Sequence, residues 1–328
     1  MTDLFTALTP DWVLRAVERA GFEPSGHCLA LNSLENRVYD LRLETGDHVV
    51  AKFYRPGRWS REAILEEHQF LAELAEAEIP VCKPLAFADG STLAEVEGIR
   101  YAVWPRTGGR APDELSDQDV EMLGRLLARI HAVGASRPAP HRRRLDVATY
   151  VHEPLSLITQ PKFLPPRFRE RYVRAAERIA ALHTERSAGV PVHRIHGDCH
   201  LGNLIRGRDG FFFLDFDDMV VGPAVQDVWM LVAGRDALDQ LQRALFVEAY
   251  QQFRPFEHRW LGMVETLRAM RWIHYAAWIA RRWHDPAFPA AFPNFNSEAY
   301  WERETIDLEQ QVALLDGAPP EPSQSPFR

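Results

Sequence analysis

Cysteine is scarce. Cys28, Cys82 and Cys199 are too few and too scattered for a disulfide framework, and no C-x-x-C pair suggests a zinc site, so a reducing compartment is expected. Long uncharged apolar runs are missing too: the most hydrophobic stretch, Met270 to Trp283, is broken by Arg271, His274, Arg281 and Arg282, so no membrane span is expected. Positive charge is not in excess. With a net charge of -8, a pI near 5.9 and no basic stripe interleaved with aromatics, the chain lacks the electrostatic footprint of a nucleic-acid binder. The run Arg142-Arg143-Arg144 is short and reads as a solvated face or loop. Asp3 and Asp11 stand where a secretory signal would need a basic region and an apolar core, so we expect a cytoplasmic protein.

The 328 residues, 46% hydrophobic and 26% charged, are enough to bury one large core or two smaller ones. A helix is predicted around Asp11 to Ala20, then strands from His27 to Phe53 with a turn at Glu44-Thr45-Gly46-Asp47. Lys52 interrupts the apolar strand Val49, Val50, Ala51 and Phe53. Ser60 is placed to cap a helix carrying Ile64, Leu71 and Leu74 up to about Ala77. Glu97-Gly98 joins two extended runs, Thr92 to Val96 and Ile99 to Trp104, as a hairpin. The cluster Pro105, Gly108, Gly109 and Pro112 then divides an N-terminal lobe, 1–104, from a C-terminal lobe, 105–316. Ser116 with Asp119 resembles a capping box, Gly134 a C-cap, and helical periodicity returns over Arg169 to Glu185. A strand, a polar loop and a hairpin occupy His193 to Asp215. Asp227 either caps the apolar helix after it or reaches the polar loop. Arg268, Arg271, Trp272, Tyr275, Trp278 and Arg281 share a helix read as core with snorkelling cations. The Pro- and Ser-rich segment 317–328 has too little apolar surface to offset ordering entropy and is expected to be disordered.

Chemistry concentrates in His196-Gly197-Asp198-Cys199-His200-Leu201-Gly202-Asn203, followed after a hairpin by Phe213-Leu214-Asp215-Phe216-Asp217. Protein kinases use H-R-D-x-x-x-x-N and then D-F-G, and the step from Asp198 to Asn203 is the same. Asn203 and Asp215 offer the oxygen ligands a hard cation such as Mg2+ requires, and Asp198 an acceptor for the proton of an attacking hydroxyl. Asp and Asn are also ordinary turn residues, but an ordered set split across a hairpin is hard to obtain from loop chemistry. Lys52, costly on a buried strand unless it meets an anion, points to nucleotide phosphates. Glu66 or Glu67 stands where a carboxylate would orient that lysine, with Glu67 favoured. Where a phosphate-covering loop belongs, Leu31-Asn32-Ser33-Leu34-Glu35-Asn36 contains no glycine. Ser33 and the amides around it could still bond phosphate oxygens.

These segments, with Val50-Ala51-Lys52-Phe53-Tyr54-Arg55-Pro56, Glu66-Glu67-His68-Gln69-Phe70, Gly222-Pro223-Ala224-Val225-Gln226-Asp227, Arg268-Ala269-Met270-Arg271 and Asp285-Pro286-Ala287-Phe288-Pro289, resemble the aminoglycoside phosphotransferase-like kinases. Within that group the chain is similar to the bacterial stress response kinase A family, from Leu31 to Pro293. The resemblance implies a bilobal α+β protein-kinase-like fold, with a small antiparallel-sheet N-lobe holding one main helix and a larger, mostly helical C-lobe. It implies ATP and Mg2+ as co-substrate and cofactor, protein substrates with Ser/Thr hydroxyls, autophosphorylation and a stress-response setting. By position, Asp198 is similar to the proton acceptor, Asn203 and Asp215 to the magnesium ligands, Ser33 to the ATP-loop residue and Lys52 to the phosphate lysine. The hinge strand ending near Trp104 would present backbone to adenine. A monomer is expected. Ser323 and Ser325 are candidate phosphorylation sites. Asp217 replaces the glycine of D-F-G and the step to Asp227 is short, which leaves no room for a long activation loop. The segment from Ser116 to Glu185 is then expected to build the acceptor cleft. The alternatives are a small-molecule hydroxyl kinase of choline, homoserine or aminoglycoside type, and a non-catalytic nucleotide-binding regulator.

Overall fold

Thr9 opens the first helix by accepting the Trp12 N–H, and Pro10, at the first helical position, costs no hydrogen bond there. The computed structural model describes residue 5, residues 8–207 and residues 210–317. Helix α1 (Pro10–Arg19) is followed by β1 (Pro24–Leu31), β2 (Arg37–Leu43), β3 (His48–Phe53), α2 (Arg61–Glu76), β4 (Ala94–Val96) and β5 (Ile99–Pro105). The strands form one antiparallel sheet in the order β1-β2-β3-β5-β4.

Register decides which way Lys52 points. Ala51 lies opposite Tyr39 and Val103, and Phe53 opposite Tyr101, so these side chains share one face and bury against Val13, Ala16 and Val17 of α1. Each valine so buried stabilises by about 1.5–3 kcal/mol. Lys52, opposite Val38 and Ala102, must point to the other face, where Tyr54, Ile64, Ala102 and Trp104 cluster beneath α2. The β4–β5 turn is Glu97-Gly98, with φ of 52° and 80°. Two left-handed residues in succession match the twist of a tight hairpin. Glu97 is held there by the Trp12 indole N–H, 3.0 Å from its carboxylate.

Beyond Pro105 the chain is mostly helical: α3 (Asp117–Gly134), α4 (Glu153–Ile158) and α5 (Pro166–Arg186), then β6 (Val192–Ile195), β7 (Leu204–Gly207), β8 (Gly210–Phe213) and β9 (Val220–Pro223), and finally α6 (Val225–Leu231), α7 (Ala237–Gln251), α8 (Val264–Arg281), α9 (Ala287–Ala291) and α10 (Glu298–Leu315). Strands β6 and β9 pair antiparallel, as do β7 and β8. The helices close over a core that includes Tyr172, Tyr250 and Trp301, and Phe70, Leu71 and Leu74 of α2 reach into that same core. Helix α2 thus joins the sheet to the helical lobe.

The capping box at Ser116 and Asp119 forms in both directions. Gly134 is not a C-cap: α3 ends on Ala135 with right-handed geometry. A Cβ at Gly134 would collide with the Arg194 carbonyl, so the glycine lets α3 approach β6. Among the described residues no helix is long and apolar enough to cross a membrane. Residues 318–328, and with them Ser323 and Ser325, lie outside the described residues.

Candidate active site

Strand β6 delivers His196 and Gly197 to one buried carboxylate. Asp227, in the first turn of α6, accepts the His196 N–H at 2.8 Å and the Gly197 N–H at 2.9 Å. His131 Nε2 of α3 lies 3.0 Å from the same carboxylate, and Tyr250 Oη of α7 lies 2.9 Å from His131 Nδ1. Of the two roles open for Asp227, the structure selects the loop backbone. Gly197 has a φ of 84°, and a Cβ there would strike the Asp218 carbonyl.

The turn after Gly197 gathers the acidic and amide groups. Asn203 Nδ2 donates to the Asp198 carbonyl at 2.9 Å, which leaves its Oδ1 as an open acceptor. The Leu214 N–H donates to the Asn203 carbonyl at 2.9 Å, and His196 Nε2 reaches the Leu214 carbonyl at 2.8 Å. These two bonds set Asp215 beside Asn203. Asp215 itself is left-handed, with φ 55° and ψ 60°, an unfavourable conformation for a residue with a Cβ and one that turns its carboxylate out of the β8 direction. The side chain of Phe216 is buried between His196 and Phe70, at ring separations of 4.4 and 5.8 Å.

Lys52 Nζ stands 2.9 Å from Asp215 Oδ1 and 3.4 Å from Asp217 Oδ1. Burial opposes its charge, but Asp215, Asp217 and Glu67 outweigh burial and hold the ammonium above its usual pKa. Its Nζ is also 5.4 Å from the Trp104 ring centroid, within cation–π range. Asp217 bonds Arg58 and Asn36, and burial, which would raise its pKa, loses to Arg58, Lys52 and Arg142. Burial also pushes Asp198 up. Arg271, whose Nη2 is 2.7 Å from Asp198 Oδ1, and His200, at 3.5 Å from Oδ2, pull it well below the usual carboxylate range.

Glu67 is buried on the α2 face toward Lys52, whereas Glu66 points away and accepts the His141 N–H at 3.1 Å. No ion pair joins Glu67 to Lys52. Burial carries the Glu67 carboxyl up to about 7 against the opposing pull of Lys52. Ser33 lies half-buried in the β1–β2 loop. That loop is tied down by its neighbours: Glu35 pairs with Arg55 at 3.2 Å and with Arg282 at 2.7 Å, and Arg55 pairs with Asp285 at 2.8 Å. Trp104 turns its indole toward Tyr54 and His68 rather than solvent.

The residues fit a hard divalent cation: Asn203 Oδ1 and the half-exposed Asp215 carboxylate are oxygen donors on adjoining backbone. A second cluster, His27, Asp40 and His48, has ligand atoms within 4.8 Å of one another, but the Arg106 guanidinium already bonds Asp40.

Residues 27–264 match the phosphotransferase enzyme family, APH. Stress response kinase A of Escherichia coli K12 is 40% identical over 316 residues, 96% of each chain. The serine/threonine protein kinase RdoA of Salmonella typhimurium LT2 is 39% identical over the same share of each. The chain belongs to the stress response kinase A family. It is therefore a phosphotransferase of the kinase type. Solved structures agree in fold: an amicoumacin kinase in complex with AMP-PNP, Ca2+ and Ami superposes with a TM-score of 0.74 at 18% identity, covering 95% of this chain and 96% of that one. A microcompartment-associated aminopropanol kinase gives 0.70 at 18% identity, covering 94% and 97%. The bilobal α+β fold expected from the sequence is thus shown.

For a member of this family, two features escaped the sequence. Arg271 is not a snorkelling surface cation but the partner of Asp198. A cavity of about 480 Å³ that Arg271 shares is lined by α8, the last residue of α9, the segment between α9 and α10, and α10, with no residue from Ser116 to Glu185. The only signal for either was the Arg268–Arg271 segment, whose helical spacing reads equally well as packing.

Proposed function

We propose that the chain is an ATP- and Mg2+-dependent kinase that phosphorylates serine and threonine hydroxyls of proteins, itself included, in a stress-response setting. The observation that carries this reading is the set Asp198, Asn203 and Asp215, stitched across one hairpin by the Leu214–Asn203 bond and faced by Lys52. The relatives that are 39–40% identical over 96% of the chain bear the names of a stress response kinase and a serine/threonine protein kinase.

In this reading Asp198 orients the acceptor hydroxyl, Asn203 and Asp215 hold Mg2+, and Lys52 bonds the ATP phosphates in exchange for Asp215. Glu67 supports Lys52 from α2. Ser33 and neighbouring amides cover the phosphates, and backbone near Trp104 receives adenine. The cation's contribution is to neutralise charge on the phosphates during transfer. Arg271 holds Asp198 ionised and fixed, so the carboxylate acts by orientation more than by proton affinity. The enzyme would work as a cytoplasmic monomer.

A kinase of small hydroxyl compounds is the second reading, favoured by a cavity of ligand size beside Arg271. Labelled ATP offered with generic protein substrates and, separately, with a panel of small alcohols separates the two. Label on protein Ser and Thr supports the proposal; label confined to a small alcohol sinks it.

A further inference from the structure

The carboxylates around the site each hold a close cation: Asp198 has Arg271 at 2.7 Å, Glu35 has Arg282 at 2.7 Å, Asp215 has Lys52 at 2.9 Å, and Asp217 and Asp218 both bond Arg58. At the start of α4 the proportion is reversed. Glu153 alone faces two guanidiniums, Arg143 at 3.4 Å and Arg281 at 3.8 Å, both longer than a strong charge-assisted bond of about 2.7–2.9 Å. The side chains are open to solvent, Arg143 at 41% and Arg281 at 32% exposure. On α8, Arg271, His274, Trp278 and Arg281 recur every three or four residues and so share one face. That face is turned to the site, since Arg271 bonds Asp198 and the Trp278 indole donates to Glu35 of the β1–β2 loop at 2.5 Å. Between them His274 stacks on Tyr150, with ring centroids 4.3 Å apart. Its Nδ1 is buried without a hydrogen-bond partner, and burial, then Arg281, Arg143, Arg271 and Arg282, lowers its pKa to about 3. A neutral ring thus sits in a field of four guanidiniums.

We propose that Arg143 and Arg281 form a basic wall beside the catalytic loop and that a protein acceptor docks there with an acidic side chain, Asp or Glu, near the hydroxyl to be phosphorylated. The inference rests on the protein-kinase reading and on the assignment of Asp198 to that hydroxyl. Two exposed guanidiniums around one carboxylate contribute little to stability, so packing does not account for the second. A carboxylate brought between them matches the planar fork of each and separates two like charges. A basic side chain would instead meet both guanidiniums. Arg143 and Glu153 lie within Ser116 to Glu185, the segment from which the sequence leads one to expect an acceptor cleft. Reach fixes where the acid falls. Arg281 is ten residues beyond Arg271 on α8, about 15 Å at about 1.5 Å per residue, which an extended peptide covers in about four to five residues at about 3.3 Å each. The acid is therefore expected within about five residues of the acceptor Ser or Thr.

The test separates docking from transfer. Fluorescence polarisation on the full chain uses labelled peptides with Ala in place of the acceptor Ser and with Glu, Gln or Lys at each flanking position in turn. At one position or more, the Glu peptide is expected to bind at least about tenfold more tightly than its Gln counterpart, and the Lys peptide more weakly still. Arg143→Gln and Arg281→Gln should each shrink that gap, and Arg143→Glu should reverse it toward Lys; the exposed Arg143 serves as the test even where Arg281→Gln fails to fold. Equal or undetectable binding of Glu and Gln peptides at every position, or a Glu preference untouched by both substitutions, overturns the wall. Kinetics with the Ser peptides is expected to show the same order in kcat/KM, carried by KM, and equal rates for Glu and Gln peptides overturn the inference as well. If label passes only to small alcohols, the protein-kinase reading falls by itself, and the polarisation measurement still decides whether the wall binds acid.

Discussion

Asp198 carries a guanidinium on one oxygen and lies 3.5 Å from an imidazole on the other, a setting that keeps it ionised throughout the physiological range. In the proposed mechanism its value to the reaction is then a fixed acceptor for the hydroxyl proton. Asp198→Asn keeps the shape and removes the charge, so turnover should fall by about 10²–10⁴-fold while nucleotide affinity, measured by titration, changes little. Retained turnover would remove Asp198 from the chemistry. Glu67 behaves oppositely. Its folded pKa of about 7 is above the ordinary glutamate value of 4.5, so the folded state binds the extra proton between those values and stability drawn from this group declines as pH rises through them. Glu67→Gln should flatten the fall in melting temperature from about pH 5 to about pH 8 that the unaltered chain shows. A parallel slope in both proteins rejects the assignment. The spacing of Asp198, Asn203 and Asp215 and the oddity of Lys52 single these residues out in the sequence, and the fold brings them together. Glu66 and Glu67 were not separable, because neighbours on a helix edge differ only in which side tertiary packing covers.

At the scale of elements, Asp227 is where β6, α3, α6 and α7 meet. One buried carboxylate accepts two backbone N–H groups and an imidazole, which is itself engaged by Tyr250. Neutral His131 can donate from Nε2 only if Nδ1 accepts, and the Tyr250 hydroxyl supplies that donor. Burial lowers the His131 pKa despite Asp227, consistent with a neutral ring. Asp227→Ala leaves two buried N–H groups and the imidazole without their acceptor. The cost should be about 3–5 kcal/mol by denaturant unfolding, with phosphorylation lost as well. A loss below about 1 kcal/mol would show that the loop holds without it. Gly134→Ala places a Cβ against the Arg194 carbonyl and should cost about 1–3 kcal/mol, since two backbones must separate. Helix starts were readable because Ser60 and Ser116 cap locally; the Gly134 contact was not, because a glycine near a helix end has the same local signature whether it caps or yields space.

Across the whole molecule, arginine does most of the joining. Of the 38 Lys and Arg residues only Lys52, Lys83 and Lys162 are lysines, and the cations that tie the β1–β2 loop region to the helical lobe include Arg37, Arg55, Arg58 and Arg282. A planar guanidinium can serve several acceptors at once, as Arg55 does with the Leu34 and Glu35 carbonyls and Asp285. No local pattern announces such links. Glu35 and Arg282, or Arg55 and Asp285, are more than two hundred residues apart, and each reads alone as a solvated charge. Their partial burial shields them from salt, so they should hold the loop against the helical lobe more firmly than exposed pairs would. Asp285→Asn leaves Arg55 on the two loop carbonyls but cuts its tie to the helical lobe. If that tie positions the phosphate-covering loop, KM for ATP should rise several-fold with kcat less affected, and the rise should be as large at about 0.5 M salt as at about 0.1 M. An unchanged KM for ATP would place the network in stability alone, and a rise that vanishes in salt would mean the pair is open to solvent when the enzyme works.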